Sequence, residues 1–364
     1  MKDGFVRGPF GSALKKDLFV EKGADTYKVY EQCVPLEQDK NKGRYYISGE
    51  YFRKSLKRFE VQNNDFLVSC SGVNYGAIYH LQEPFEKGVI NQALLIIRIN
   101  PELVDYDYFY YLFSFVLRKA IVSGTGDSTI PNFPPTSVIK NIEVNIPELK
   151  EQKRIGRILK SIDAQVKRNN EMVQKLQVLA LKSFDYFSKD NDISNSLVLK
   201  DIIVEKVKSP IQVNNIQDST GLIPFFTSGE AVLYTKEKLT TGFNIFLSTG
   251  GNAKVQSHYG DAAYSTDTWC ISAKNNLQYY LYGYLKHIES QMDKLYFHGT
   301  GLKHLQKPIF LKSTINIPDN VALKKYNAVV EPIYIQISNI EQVTIQLLRL
   351  KNKLLPLLIN QQLV

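Results

Sequence analysis

The stretch Asn145-Ile146-Pro147-Glu148-Leu149-Lys150-Glu151-Gln152 closes a β-like run and opens a long helical pattern, and Asn316-Ile317-Pro318-Asp319 begins the same sequence of events again. The two prolines are 171 residues apart, and at that offset Ile155, Ile162, Leu176 and Leu179 fall on Tyr326, Ile333, Leu347 and Leu350. Upstream, Gly124-Thr125-Gly126 matches Gly299-Thr300-Gly301 at an offset of 175, Ala93 matches Thr268 at 175, and Gly72 matches Gly251 at 179. An offset that shrinks in one direction is what a diverged duplication with loop deletions produces. The unit written twice is a globular block followed by a helix.

Downstream of Pro147, a residue suited to a first helical turn, Ile155, Ile162, Asn169, Leu176 and Ser183 share one heptad position. Leu159, Val166, Val173, Ala180 and Phe187 share the other, which makes a coiled-coil seam of about five heptads. Arg154, Arg157, Lys160, Lys167 and Arg168 flank it. The second copy offers Tyr326, Ile333, Ile340, Leu347 and Leu354, then Val330, Ile337, Thr344, Lys351 and Leu358. Each helix needs a partner, and the other helix is the obvious one.

Pro332 predicts a restart or kink inside the second helix, and Pro356 a bend or an end to its last turns. By sequence register Asn169 faces Ile340, where it either fixes orientation at some cost in stability or is simply tolerated. Antiparallel packing is the expectation, with a globular block at each end of a rod of about 50 Å.

The fold class expected is α+β, with two repeated globular domains separated by two long antiparallel coiled-coil helices and related by a pseudo-two-fold. The boundaries expected are 1–146 for the first domain, 147–190 for the central helix, 191–317 for the second domain and 318–364 for the C-terminal helix. Strands are predicted at Tyr45-Tyr46-Ile47, Phe66-Leu67-Val68, residues 93–97 and Ile142-Glu143-Val144. A helix is predicted over Tyr106–Ile121. The second block repeats the plan with Ile202-Ile203-Val204, Phe246-Leu247, Trp269-Cys270-Ile271 and a helix around Leu277–Ser290.

At 364 residues and 44% hydrophobic, the chain can bury two cores of ordinary size. No apolar run approaches a membrane span, and the start Met1-Lys2-Asp3-Gly4 lacks a signal-peptide core, so a soluble cytoplasmic protein with no membrane partner is expected. Cys33, Cys70 and Cys270 are an odd number without a close pair, which argues against a disulfide framework or a cysteine zinc site.

The formal net charge is +9. It divides as +1 over residues 1–146, +4 over 147–190, +2 over 191–317 and +2 over 318–364. The helices carry most of the excess, with one local exception: Lys40, Lys42, Arg44, Arg53, Lys54, Lys57 and Arg58 are accompanied by the single acid Glu50 and interleaved with Tyr45, Tyr46, Tyr51 and Phe52. Such a segment suits DNA, whose phosphates the cations would neutralise. It equally suits a solvated charged face with tyrosines packed beneath it.

The Asn145–Gln152 stretch with Ile155 and Ile158-Leu159 resembles the start of a helix in specificity subunits of type I restriction-modification systems. The Gly-Thr-Gly loops, the runs Asn91-Gln92-Ala93 and Thr266-Asp267-Thr268, and Leu354-Leu355-Pro356 resemble that family too. The resemblance covers almost the whole chain, and the order of the motifs, twice over, makes it specific. It implies two target-recognition domains, each reading one half of a bipartite double-stranded DNA target, with the helices setting the unread gap. It also implies two methyltransferase subunits docked on the helices, and restriction subunits that translocate and cut. S-adenosylmethionine, ATP and magnesium would belong to those partners, and this chain would carry no cofactor. Leu199-Lys200-Asp201-Ile202 resembles the strand that opens a recognition domain, and no counterpart is evident before Gly8-Pro9-Phe10-Gly11, so the expectation is either a shortened first domain or a chain that begins downstream of the family's usual start.

DNA-contact candidates follow from chemistry and position. They are Arg44, Tyr45, Arg53, Lys54, Lys57 and Arg58; Asn74 and Tyr75; Gly124, Thr125, Gly126 and Ser128; Gly251, Asn252 and Lys254; and His298, Gly299, Thr300, Gly301 and Lys303. Glycine-rich loops let backbone approach a groove closely, although the same residues also make tight turns that hold no ligand. Catalytic patterns are poor. Asn132-Phe133-Pro134-Pro135 has the residues of an amino-methyltransferase tetrapeptide in the wrong order, and Asp127 with Glu148-Leu149-Lys150 mimics a nuclease pattern at a helix start. His298 and His304 lack further metal ligands at suitable spacing, and no glycine-rich loop ends in Lys-Ser or Lys-Thr. A non-catalytic specificity subunit is the reading; the alternative is a coiled-coil scaffold tethering two protein-binding domains.

Overall fold

The computed structural model describes residues 4–71, 75–124, 134–189, 195–216 and 221–360. The chain forms two compact units, Met1–Asp163 with Leu350–Val364, and Ala164–Arg349. The long helices run over Leu149–Lys189 and Asn320–Ile359, so each contributes turns to both units. No described helix is long and apolar enough to cross a membrane.

Each unit is built on a four-stranded sheet of the same topology. In the first, Phe66–Ser69 is flanked by Leu94–Ile97 and Ile78–His80, and Phe5–Arg7 forms the edge beyond Leu94–Ile97. In the second, Phe243–Ser248 is flanked by Thr268–Ala273 and Val255–Tyr259, with Ile203–Glu205 at the edge. The agreement extends to register: Phe66 pairs with Ile97 and Ser69 with Leu94, as Ile245 pairs with Ile271 and Ser248 with Thr268. These central strands are offset by 179, as Gly72 and Gly251 suggested, whereas Thr268 corresponds to Leu94 and not to Ala93.

A second, smaller sheet accompanies each. Val29 and Tyr30 pair in parallel with Val89 and Ile90, and Phe225 and Phe226 pair in parallel with Ala263 and Tyr264. In both units the next amide returns to the same carbonyl, Asn91 N to Tyr30 O at 3.0 Å and Ser265 N to Phe226 O at 2.9 Å. Buried Tyr30, Phe66, Phe225 and Phe246 explain part of the tyrosine and phenylalanine content.

Four expectations are corrected. Leu199–Ile202 is a helical turn, and the edge strand is Ile203–Glu205. Its counterpart does precede Gly8: Phe5–Arg7 occupies the same sheet position. The segment Ile142-Glu143-Val144 is not a strand, because a strand needs a neighbour. Its equivalent Thr314–Ile317 pairs with Asn195–Val198, and no strand pairs with 142–144 among the described residues. The second long helix runs unbroken through Pro332 and Pro356. A proline removes one helical hydrogen bond, and burial of Val330, Ile333, Tyr334 and Ile337 on the same turns holds the helix across the gap.

The helices run antiparallel within each unit. In the first, Ile155 and Leu159 share a core cluster with Leu358 and Ile359, and Lys351 Nζ lies 2.6 and 2.7 Å from the Asp163 carboxylate. In the second, Asn169 Nδ2 donates to Thr344 Oγ1 at 2.9 Å, and Phe187 meets Tyr326 edge-on at 5.6 Å. Asn169 therefore faces Thr344 rather than Ile340, and Gln165 Nε2 donates to its carbonyl oxygen at 2.7 Å. Phe184, outside the heptad assignment, is buried where Gly283 leaves room: a Cβ there would lie 2.5 Å from the Phe184 ring. Helix starts are also built from side chains. Gln152, fully buried, accepts from Asp105 N at 2.9 Å and donates to Pro147 O at 2.9 Å, while Asp319 Oδ1 caps Val321 N and Ala322 N at 2.7 and 2.8 Å.

One buried ion pair anchors the first unit. Asp65 accepts from Arg98 Nε at 2.8 Å, Arg98 Nη2 at 3.0 Å and Gln62 N at 2.7 Å, and burial pushes its carboxyl above the usual range. Arg98→Ala leaves that carboxylate buried without its cation, and the expected loss of stability is about 3 kcal/mol at neutral pH. A carboxyl with a raised folded-state pKa destabilises the fold only while ionised. The Arg98→Ala deficit therefore shrinks as pH falls through that pKa, a trend that chemical denaturation of the two proteins at several pH values checks.

Candidate nucleic-acid interface

In the second unit the loops that follow the strands converge at one place. Thr249 N and Oγ1 donate to Asp267 O at 3.1 and 2.7 Å, and Ser228 Oγ donates to the same carbonyl. Leu305 N reaches Thr249 O at 3.0 Å and Gly251 N reaches Lys303 O at 2.9 Å, which binds the 249–251 turn to the hairpin of Phe297–His298 and His304–Leu305. Gly251 sits at φ +81° and Gly299 at φ +154°, where a Cβ would lie 2.5 Å from Leu302 O, so both turns depend on glycine.

This geometry unites several candidates. His298, Gly299, Thr300, Gly301 and Lys303 are all exposed on the hairpin tip, and the exposed Asn252 lies beside it on the turn that Gly251 opens. Lys254 is engaged within the fold, since its Nζ donates to Gly229 O at 2.9 Å and burial draws its pKa down. It braces the loop. The loop is further tied to the helix Gln278–Leu295 through Asp293 to Ala253 N and Glu289 to Val255 N, each at 2.7 Å.

In the first unit the corresponding turn starts with Cys70 N donating to Ala93 O at 2.8 Å, the equivalent of Thr249 with Asp267. Gln32 Nε2 bonds Ser69 Oγ at 3.0 Å and Ser71 Oγ at 3.2 Å. Tyr75 is half-buried. Asn74, Thr125, Gly126 and Ser128 lie outside the described residues, as does Asp127, and Gly124 ends the helix that begins at Tyr106.

The basic segment resolves into three helical turns, Gly49–Tyr51, Phe52–Leu56 and Lys57–Phe59, begun by Ser48 Oγ accepting from Tyr51 N at 3.2 Å. Phe52 and Leu56 are buried with Val29, Ile47 and Val89. Helical spacing then puts Arg53, Lys54, Lys57 and Arg58 together on the exposed side. The tyrosines do pack beneath: Tyr45 stacks on Phe19 at 4.3 Å, and Tyr51 OH donates to Ala13 O at 2.9 Å. Arg44 lies over the Tyr45 ring at 4.9 Å and bonds its hydroxyl at 2.8 Å.

The four cations are not equivalent. Arg53 grips Asp25 with two bonds of 3.1 and 3.0 Å, and the guanidinium holds that carboxyl below its usual range. Lys54, Lys57 and Arg58 form no ion pair among the described residues. The sequence hides this difference, since Asp25 is 28 residues away from Arg53.

Comparison with known proteins places this architecture. The model for the type I restriction modification DNA specificity domain matches twice, over residues 21–178 and 195–349, and the chain belongs to that family. The type I restriction enzyme MjaIX specificity subunit of Methanocaldococcus jannaschii is 22% identical over 360 residues, covering 88% of this chain and 82% of that protein. The MjaVIII specificity subunit of the same organism is 27% identical over 141 residues, 36% of this chain and only 32% of that relative. A solved type I restriction-modification S subunit from M. genitalium shares the fold, with a TM-score of 0.60, 16% identity, and coverage of 98% of this chain and 93% of that one.

The inequality among the cations has a measurable consequence for DNA binding. Lys57→Ala and Arg58→Ala should each lower the salt slope of binding to duplex DNA by about 0.9, whereas Arg53→Ala should change it little. Asp25→Asn should raise affinity by releasing Arg53. Fluorescence anisotropy across a salt series distinguishes these four variants.

Proposed function

We propose that this chain is the DNA-reading subunit of a type I restriction-modification complex and that each unit reads one half of a bipartite duplex target. The observation that carries the proposal is the register-for-register repetition of the sheets, which gives the chain two similar frameworks for loops. Two similar half-sites are the ligand that two similar readers fit. On this reading residues 1–146 and 191–317 are the recognition domains, and the helical segments 147–190 and 318–364 set the unread gap. Base edges would be met by the loops around Tyr75, Asn252 and His298–Lys303, and phosphates by Lys54, Lys57 and Arg58.

The chain itself carries out no chemistry in this proposal. Methyl transfer, with S-adenosylmethionine, belongs to two methyltransferase subunits docked on the helices. ATP- and magnesium-dependent translocation and cleavage belong to restriction subunits. In the second unit Met172, Leu179 and Tyr186 recur at heptad spacing on the exposed side of the helix, each at least 50% exposed, with Lys175 and Lys182 between them. An apolar stripe of this kind on a helix fits a partner helix.

Mapping adenine methylation across a genome, in cells that supply the matching methyltransferase with and without this chain, tests the reading. A bipartite motif that appears only with the chain is expected. No chain-dependent motif from an assembled complex would instead favour a scaffold that tethers two protein-binding domains. Leu179→Glu should abolish co-purification of the methyltransferase subunit and, with it, the methylation, while leaving the circular dichroism of the chain unchanged.

A further inference from the structure

The repeat is broken at one place. In the second unit the segment before the second long helix, Thr314–Ile317, is a strand paired with Asn195–Val198, which follows the first long helix. In the first unit the same segment, 143–146, has no strand beside it among the described residues. The equivalence is secure. Pro147 and Pro318 are 171 residues apart, and at that offset the helical turns Thr136–Lys140 and Lys307–Lys312 coincide, with Ile139 and Phe310 buried at matching positions.

The missing neighbour leaves apolar surface in water. Val144 is 42% exposed, whereas its equivalent Ile315, opposite Leu197 in the ladder, is only 1% exposed. Beside Val144 lies a cleft of about 690 Å³, walled by Leu112, Phe115 and Val116 of the helix that begins at Tyr106. A space of that size takes a ligand or a segment of chain. Extended main chain along an apolar cleft is a template for a further strand.

The occupant is indicated by the repeat and by where the second long helix stops. Asn195-Ser196-Leu197-Val198 has a match in Gln361-Gln362-Leu363-Val364, which lies outside the described residues: two polar residues and then Leu-Val, each group placed just after a long helix. The link is six residues in one case, Lys189 to Asn195, and two in the other, Ile359 to Gln361. The shorter link suffices, since Ile359 and Asn360 themselves line the cleft together with 142–145. A segment attached at that point competes at an effective concentration of about millimolar, which a separate partner rarely meets.

We infer that Gln361-Gln362-Leu363-Val364 forms a strand antiparallel to 143–146, with Leu363 opposite Val144 and covering the cleft as Leu197 packs on the core of the second unit. By the register of the second unit, Gln362 then opposes Asn145 and Val364 opposes Glu143. The first unit thereby gains the two-stranded ladder that the second already has. The end of the second long helix is fastened to the segment that leads into the first, so the two helix ends in this unit are joined by main-chain bonds as well as by side chains.

The test follows amide hydrogen exchange of the peptide 141–148 by mass spectrometry in the full chain. Exchange should be slow in wild type and in Leu363→Ile, and roughly tenfold faster at the ladder amides in Leu363→Asp and in a chain cut after Asn360. A second measurement does not depend on destabilising anything. Asn145→Cys with Gln362→Cys sets two thiols opposite each other and should form a disulfide on mild oxidation; Asn145→Cys with Gln361→Cys turns one thiol to the other face and should form far less. Equal exchange in wild type, Leu363→Asp and the cut chain overturns the inference, as do equal disulfide yields from the two cysteine pairs. Protection that depends on protein concentration, or that arises only on adding a methyltransferase subunit, gives the cleft to a second copy or to that partner and overturns it too.

Discussion

Burial of the helix stripes ties the rest of each unit together. In the first unit Ile155, Leu159 and Leu358 belong to the same apolar cluster as Phe66, Leu95 and Tyr108 of the sheet and its helix, and in the second Ala180, Phe184, Tyr326 and Val330 join Ile245, Ile271 and Leu285. Each such side chain contributes about 1.5–3 kcal/mol when removed from water. Because helix seam and sheet share a core, neither can be packed without the other. The strand ends, and so the loops they carry, inherit fixed positions.

That rigidity is carried outward by polar contacts to backbone. Thr249 with Asp267, and Cys70 with Ala93, fasten equivalent turns by equivalent bonds, although the side chains involved share no chemistry. What the duplication has preserved is therefore the pattern of main-chain donors and acceptors, which any non-proline residue can satisfy. Side chains outside that pattern are free to diverge, and the sequences have: His-Gly-Thr-Gly-Leu-Lys in the second repeat aligns with Ser-Gly-Thr-Gly-Asp-Ser in the first.

The helices and the repeat were legible because both rest on periodicity. Heptad spacing exposed the seam through Ile155, Leu159 and Val330, and even the out-of-place Lys351 proves consistent with it, since Asp163 receives its charge. Local signals misled where packing outweighed them. Pro332 reads as a break, yet four buried residues around it outweigh one missing hydrogen bond. Ile142-Glu143-Val144 reads as a strand, yet strand formation depends on a neighbour that its own composition cannot reveal. The site was legible only as residue types. Nothing near Arg53 in sequence announces Asp25, and nothing near Lys254 announces Gly229, so two cations read as free are occupied within the fold.

If the chain reads DNA as proposed, the same division between framework and tip bears on how its target would change. The exposed residues of the hairpin, His298 to Lys303, and of the helical turns, Lys54, Lys57 and Arg58, belong to no core cluster. Replacing them alters what is met at the surface without removing buried area, so the stability cost of a new specificity is small. Under the proposed function Asp25 would add a second route: by holding Arg53 it would set the charge offered to a phosphate without any change in the number of bases. On the proposed function, base contacts and overall affinity would be altered at separate positions, because the first would depend on loop tips and the second on a helical face braced by buried Phe52 and Leu56.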